Sequence, residues 1–536
     1  MEFKKILTSA FKNHKENNLE EAIKLYKKVL NLQPNHLDAI YNLAIIFSRR
    51  KNYAEASNFF LKYTKIDPKN SGAYNNLGLT FFYLGKIDEA IKFIKKSIDL
   101  NPKFSDAYNN LGFVYIQNGK IDEGEKYCLK AYDLNPKNHA TYTNLKLIFK
   151  KQDKFKNLEK LYVNTIRLNP KFLEAYVALM DIYERSHQEK KLDEIIKKAE
   201  KEFLNNVVVN LYKGKIHFNN QKFKEAISLI EPISFKLDTL EQSKSLVLAK
   251  SYDKINNIEK AYENFSKMNN ISFKNKSNKI DKNRYLNLVK ERTNFFVNEK
   301  FEKWDLYQDK KAFNNPVFLI GFPRSGTTLL DTIIRSHPKV EVIEEKPMLD
   351  EIIKKSKVLT NNSFLNLKKL NSKDIDELRK IYFNKRLEYI KKEDSGKIYI
   401  DKLPLNIVYV GEIIRIFPNA KFLFSLRNPY DCILSCFMQD FLLNDAMSNF
   451  INLNDTAILY NSVMKLWHQY LNLFQIKRHT IKYEDLVLNF DDTVKKVLDF
   501  LNIDWSESIY SYRETAKERD MISTPSYNQV IKPIYK

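Results

Sequence analysis

The sequence predicts a chain of two parts: an N-terminal solenoid of stacked helical hairpins and a C-terminal α/β domain built on a parallel sheet. Three observations carry this. Pro34, Pro68, Pro102, Pro136 and Pro170 recur at a spacing of 34 residues, a period that marks a repeat architecture. Asn315-Pro-Val-Phe-Leu-Ile-Gly-Phe-Pro-Arg-Ser-Gly-Thr-Thr-Leu-Leu330 runs from an apolar stretch through a Gly/Ser/Thr turn into an amphipathic segment, which reads as strand, loop, helix. Lys421-Phe-Leu-Phe-Ser-Leu426 is a second apolar strand, and it passes through Arg427 into a helix started by Pro429.

The repeats come first. Tyr74, Leu77, Gly78, Phe81 and Ala90 in one unit recur as Tyr108, Leu111, Gly112, Tyr115 and Gly124 in the next, with Ala22 and Ala56 at the equivalent small position earlier. Small residues let the two helices of a hairpin approach, aromatic and aliphatic residues fill the seam, and Pro stops the second helix. The 34-residue length resembles the tetratricopeptide repeat. Weaker units, Phe223-Lys-Glu-Ala-Ile227 and Ile258-Glu-Lys-Ala-Tyr262, extend the expected solenoid across residues 1–270. Tyr41-Asn42, Tyr74-Asn75-Asn76 and Tyr108-Asn109-Asn110 allow two readings: a groove whose amides grip an extended peptide, or repeat packing and composition.

Residues 271–314 are expected to be a linker, a Lys/Asn/Ser-rich stretch (Phe273 to Lys279) followed by a bridging helix over Tyr285 to Phe296. Residues 315–536 form the second domain. Val317 to Ile320 is a continuous apolar run, as in a buried parallel strand, and Leu329, Leu330, Ile333 and Ile334 fall at helical spacing. The turn between them predicts an anion site, with N–H groups from Ser325, Gly326, Thr327 and Thr328, the two Thr hydroxyls, and the fixed charge of Arg324. The Gly-Lys-Ser/Thr ending of a nucleotide triphosphatase loop is missing, so a phosphate ligand without a metal fits better. Arg427 at a strand's carboxyl end and Ser435 two helical turns on lie where open α/β sheets bind ligands.

The pair Phe-Pro-Arg-Ser-Gly-Thr-Thr and Arg-Asn-Pro-Tyr-Asp-x-x-x-Ser resembles the sulfotransferases, whose donor is 3′-phosphoadenosine 5′-phosphosulfate (PAPS). The resemblance covers residues 315–536 and implies that the first loop holds the 5′-phosphosulfate while Arg427 and Ser435 hold the 3′-phosphate. It is nearest to the protein-tyrosine sulfotransferases and to bacterial sulfotransferases fused to tetratricopeptide repeats. His337-Pro-Lys-Val-Glu-Val-Ile-Glu-Glu345 is similar to the element whose second Glu is the general base, and Asp401-Lys-Leu-Pro404 to the element whose Lys assists the leaving group. Ile481-Lys-Tyr-Glu-Asp-Leu-Val487 and Asn528-Gln-Val-Ile-Lys-Pro533 resemble elements near the donor, which adds Tyr483 and Lys532 to the implied donor residues. Two departures stand out. Lys346-Pro347 follows the Glu pair where the tyrosylprotein enzymes have Thr-Arg, and the chain stops at Tyr535-Lys536 without the tail of the repeat-fused relatives, implying a shortened donor lid.

Sulfuryl transfer to a hydroxyl is an in-line displacement at sulfur that needs positioning, a base and cations. Glu345 is the expected base, and Lys402 and Arg324 the groups facing charge on the bridging oxygen and sulfonate. Each has a plainer alternative. Glu344 and Glu345 could be an acidic loop cap, Asn428-Pro429 pure helix capping, and Tyr483 and Lys532 packing or surface. His468 stands in reserve as another base. Cys432 and Cys436, one turn apart, lack further partners for a metal, and none is expected.

Whole-chain properties fit a large, soluble two-part protein. With 536 residues, 43% of them hydrophobic, there is material for two cores, and no apolar run reaches the length of a membrane span. Met1 to Leu7 lacks the apolar core of a secretory signal, and three cysteines suggest a reducing compartment, so a cytoplasmic location is expected. The net charge of +23 is spread as Lys among abundant Asn and Ile, without a nucleic-acid motif, so no nucleic-acid partner is expected. The expectation is a PAPS-dependent sulfotransferase releasing adenosine 3′,5′-bisphosphate, acting on a tyrosine of a peptide or protein presented by the repeats. A glycan or small-metabolite acceptor and a non-catalytic nucleotide-binding repeat scaffold remain the alternatives.

Overall fold

The computed structural model describes residues 2–152, 154–186, 188–276, 279–298, 315–361, 364–390, 394 and 396–517. The chain divides into two compact units, Met1–Val209 and Asn210–Lys536. Among the described residues no helix is long and apolar enough to cross a membrane.

The first unit is a run of antiparallel helices. After Glu2–Lys15, helices of 14 and 13 residues alternate from Leu19–Leu32 and Leu37–Arg49 onward to Leu173–Arg185 and Glu189–Glu202. The helices ending at Leu32, Ile66, Leu100, Leu134 and Leu168 are each followed two residues later by one of the periodic prolines. At the small positions the hairpin closes tightly: a Cβ on Gly112 would lie 2.5 Å from Cys128 Sγ and 3.0 Å from the Gly124 carbonyl. The asparagines work between repeats. Asn110 Nδ2 donates to Asn75 Oδ1, Asn144 Nδ2 to Asn109 Oδ1 and Asn76 Nδ2 to the Tyr41 hydroxyl, each at 2.9 Å and each across 35 residues. Asn75 and Asn109 are buried, so those amides knit one repeat to the next.

The second unit begins with helices of the same hairpin style, Phe223–Ile230, Asp238–Lys254 and Ile258–Lys274, followed by Lys282–Asn298. These pack with the sheet that follows. Val289 and Phe296 belong to the same core as Phe318, Phe422 and Trp467, and Arg292 forms a buried ion pair with Glu412. The helix over Tyr285 to Phe296 is thus part of the sheet domain's core.

That sheet has five strands: β1 (Val317–Gly321), β2 (Val340–Glu344), β3 (Ile398–Lys402), β4 (Lys421–Leu426) and β5 (Lys477–Lys482). All pairings are parallel and the order is β2-β3-β1-β4-β5. Alternation assigns the faces. Val317, Leu319, Ile400, Leu423 and Ile481 pack on the helices Thr327–Arg335 and Phe490–Leu501, while Phe318, Ile320, Phe422 and Phe424 pack with Lys282–Asn298, Ser372–Leu387 and Leu453–Leu473. The helix after β1 lies on the first face and Pro429–Phe437, after β4, on the second. The connections leaving β1 and β4 therefore diverge, which opens a crevice at their carboxyl ends.

Candidate active site

All five strands deliver a site residue or loop at that carboxyl edge. β1 runs into Phe322-Pro-Arg-Ser-Gly326, whose tight turn requires left-handed backbone at Arg324 (φ 68°) and Gly326 (φ 96°). The second of these demands glycine, because a Cβ there would also lie 2.5 Å from Tyr483 Cδ2. The loop is sewn to β4 by Ser425 Oγ donating to the Ser325 carbonyl at 2.8 Å. Thr327 and Thr328, both buried, open the helix.

Arg324 reaches from this loop to the helix after β4, where its Nε donates to Ser435 Oγ at 2.8 Å. Arg427 closes the other side. Its guanidinium sits 4.4 Å above the Tyr483 ring, approaches the Arg324 carbonyl at 3.5 Å, and pairs with Asp431 at 3.3 Å. Asn428 caps its helix through the Tyr430 N–H and offers its own N–H to Glu484. Burial, with Arg427 beside it, lowers the Arg324 pKa, so the cradle favours an added negative charge. Arg427 Nε and Ser325 Oγ are buried with no hydrogen-bond partner among the described residues, polar capacity that the protein does not use on itself. This arrangement fits a phosphate-bearing ligand.

The second cluster stands on β2 and β3. Lys402, the last residue of β3, is fully buried and donates from Nζ to Glu345 Oε1 at 2.7 Å and Glu344 Oε1 at 3.3 Å. The Glu345 N–H donates to the Lys402 carbonyl at 2.7 Å, and a left-handed backbone (φ 49°) turns Glu345 out of the strand. Burial opposes the lysine's charge, but Glu345, Glu344 and Asp331 outweigh it and hold the Lys402 pKa above its ordinary value. The two carboxylates differ in exposure. Glu344 is 12% exposed and lies 4.0 Å from Arg335, whereas Glu345 is 35% exposed and the more open to solvent of the two.

The structure therefore brings Arg324, Ser325, Gly326, Arg427, Ser435 and Tyr483 into one cradle and Glu345 and Lys402 into one ion pair. Lys532 lies outside the described residues. His337 is structural, its ring nitrogens engaging the Asp504 carbonyl and the Lys339 N–H, and His468 is exposed on the Leu453–Leu473 helix. Burial pushes the Cys432 thiol up to about 12, and Cys436 packs against the Pro323 carbonyl. Sequence reasoning missed Asp331 and Arg335, which link the loop helix to Lys402 and Glu344. A charged pair four apart in the otherwise apolar run Thr327-Thr-Leu-Leu-Asp-Thr-Ile-Ile-Arg335 was the available signal. It also missed Asn269, whose buried amide donates to the carbonyls of Phe437 (2.9 Å) and Ile451 (3.1 Å) and so braces the carboxyl end of the Ser435 helix.

Residues 316–507 match the model of the sulfotransferase family. Residues 78–119 and 105–138 match TPR repeat and tetratricopeptide repeat models, and residues 15–97 match that of anaphase-promoting complex, cyclosome, subunit 3. An uncharacterized protein of Aquifex aeolicus (strain VF5) is 28% identical over 306 residues, 55% of this chain and 38% of that one. The protein-tyrosine sulfotransferase of Drosophila melanogaster is 25% identical over 41% of this chain and 45% of its own. Protein-tyrosine sulfotransferase 1 of Homo sapiens is 26% identical over 41% and 60%. The chain thus spans about two fifths to three fifths of the curated relatives it matches. With the cradle at the carboxyl edge of a parallel sheet and the periodic hairpins before it, the chain carries units similar to tetratricopeptide repeats and, over residues 316–507, a domain similar to the sulfotransferase family.

Proposed function

We propose that the protein transfers a sulfuryl group from PAPS to an acceptor hydroxyl, with tyrosine of a peptide or protein as the acceptor. The observation that carries this reading is the placement of the Arg324–Ser435–Arg427 cradle and the Glu345–Lys402 pair along one strand edge. In it, the N–H groups of Ser325 to Thr328 and Arg324 hold the 5′-phosphosulfate, and Arg427 and Ser435 hold the 3′-phosphate. Tyr483 supports Arg427 from below.

Glu345 takes the acceptor's proton, the hydroxyl oxygen forms its bond to sulfur, and the bond from sulfur to the bridging phosphate oxygen breaks with its electron pair staying on phosphate. Lys402 and Arg324 stabilise the charge that collects there, a contribution of about 2.7–4 kcal/mol per donor in comparable sites. The Glu345–Lys402 contact opens for this step, freeing the carboxylate for the hydroxyl and the ammonium for the leaving oxygen. Tyrosine is the acceptor of choice because the named relatives are protein-tyrosine sulfotransferases.

The test is transfer of radiolabelled sulfonate from PAPS to tyrosine peptides and to their phenylalanine counterparts. Label on tyrosine only, lost on the order of 10²–10⁴-fold in Glu345→Gln while adenosine 3′,5′-bisphosphate still binds, is the expected result. Label that appears only on a glycan or metabolite hydroxyl would overturn the tyrosine assignment, and transfer unchanged in the variant would remove Glu345 from the mechanism.

A further inference from the structure

The opposite edge of the same sheet carries a second concentration of positive charge. A cavity of about 540 Å³ opens at the amino ends of the strands, with Lys339, Lys397, Lys421 and Lys477 around it and Arg386 of the Ser372–Leu387 helix on its wall. Its volume is in the range of small-molecule sites, and Ile343, Tyr382 and Tyr399 give it an apolar and aromatic side. Along β1 the two edges are four residues apart, roughly 13 Å, so this cavity is separate from the cradle around Arg324.

The charges here are poorly balanced. Lys421 and Lys477 are direct cross-strand partners in the β4/β5 register, an arrangement of like charges that destabilises a sheet. Burial, and then Lys477, lower the Lys421 pKa. Lys421 Nζ donates to the Phe500 carbonyl at 2.7 Å and Lys477 Nζ to Asn419 Oδ1 at 2.8 Å, both neutral acceptors that leave the positive charge in place. Lys397 pairs with Glu341 at 3.2 Å. Arg386 is buried between the rings of Phe383 and Tyr399, with its guanidinium carbon 4.9 and 4.8 Å from their centroids. Among the described residues the one acid on the cavity wall, Asp401, is itself fully buried, and burial pushes its pKa up to about 8, so it contributes little negative charge at neutral pH. Cations in a concave wall of low dielectric reinforce one another's field and attract anions of matching size.

We propose that this amino-edge cavity is a second anion site, which takes a phosphorylated small molecule of nucleotide or sugar-phosphate size, its phosphates among Lys339, Lys421 and Lys477 and its body against Tyr382 and Tyr399. Because Asp401 precedes Lys402 on β3, occupancy at this edge touches the strand that carries the catalytic lysine.

The test uses inorganic pyrophosphate as the probe and the full chain with Arg324→Ala and Arg427→Ala, which remove both fixed charges of the cradle as a competing anion site. Calorimetry is expected to show one pyrophosphate per chain, with affinity reduced at least tenfold when Lys339→Gln and Lys477→Gln are added. The added variant folds on this account, since one member of the like-charged Lys421/Lys477 pair is removed, and its melting temperature without anion matches or exceeds that of the parent. Pyrophosphate should raise the melting temperature of the parent and leave that of the added variant unchanged. Absence of binding in the chain with both cradle arginines changed would overturn the proposal. So would affinity unaffected by the two lysine changes, or an equal loss from the distant surface change Lys373→Gln, either of which marks general attraction to a basic protein.

Discussion

The cradle around Arg324 and the ion pair of Lys402 lie at the same strand edge and are built on opposite principles. In the cradle, three segments far apart in sequence are tied together by bonds between protein groups, Ser425 to the Ser325 carbonyl, Arg324 to Ser435, Arg427 to the Arg324 carbonyl, and polar atoms remain unused. In the pair, Lys402 and Glu345 satisfy one another, and Glu344 and Asp331 add further negative charge around the lysine. The first arrangement is shaped in advance for an anion. The second is closed on itself and has to be opened before it can act. Under the proposed function donor binding and chemistry separate except at Arg324: changes at Arg427 and Ser435 alter affinity, and changes in the pair alter turnover.

The largest effect is expected at Lys402. Lys402→Met takes the cation from Glu345 and leaves Glu344 and Asp331 with Arg335 alone, a loss below the ~3–5 kcal/mol of a fully buried pair because Glu345 is 35% exposed, together with loss of transfer. Thermal unfolding and the transfer assay read both, and a stable, active variant would show that the pair is ornamental to both fold and chemistry.

Asn269→Ala is next. It removes two hydrogen bonds that hold the carboxyl ends of the Ser435 helix and of the Ile451 turn, leaving buried carbonyls unsatisfied at about 1–3 kcal/mol. Since the residue touches the cradle only through that helix, affinity for adenosine 3′,5′-bisphosphate should fall severalfold while kcat at saturating donor stays near the parent value. A fall in kcat with donor affinity unchanged would contradict the separation between cradle and pair.

A further effect concerns pH. Asp401, buried beneath the Tyr382 hydroxyl, has its pKa pushed up to about 8, whereas the unfolded chain releases that proton near its reference value of about 3.9. The folded state therefore holds the extra proton between roughly pH 4 and pH 8, and stability declines as pH rises through that window. Asp401→Asn should flatten this part of the melting-temperature profile and leave the profile below pH 4 unchanged. An identical decline in the variant would assign it to other groups.

Much of this was legible in the sequence, for identifiable reasons. The hairpins were readable because packing repeats with the chain: Gly78, Gly112 and Gly124 stand where a Cβ would meet the facing helix, and the prolines follow helix ends. The cradle was readable because a strand that breaks into Arg-Ser-Gly-Thr-Thr has few other uses, and the Arg427 to Ser435 spacing puts Arg427 just before a helix and Ser435 about two turns further on. Asn269 was not readable, because its bonds cross 168 and 182 residues and one asparagine among many carries no local signal. The role of the helix Lys282–Asn298 was only half readable. Its amphipathic pattern announced a helix, but the contacts of Val289 and Phe296 with the sheet core come from tertiary packing. The charge crowding at the amino edge was hidden for a related reason, since Lys421 and Lys477 face each other only once β4 and β5 are in register.

The most direct test of the central claim, that the carboxyl edge of this sheet is a sulfuryl-donor site, is a calorimetric titration of the full chain with adenosine 3′,5′-bisphosphate, wild type beside Arg427→Ala. The account predicts binding of one nucleotide by wild type, weakened in the variant by about 1.5–3 kcal/mol, the strength of a charged hydrogen bond, or roughly ten- to a hundredfold. Absence of binding by wild type, or equal binding by both chains, would contradict it.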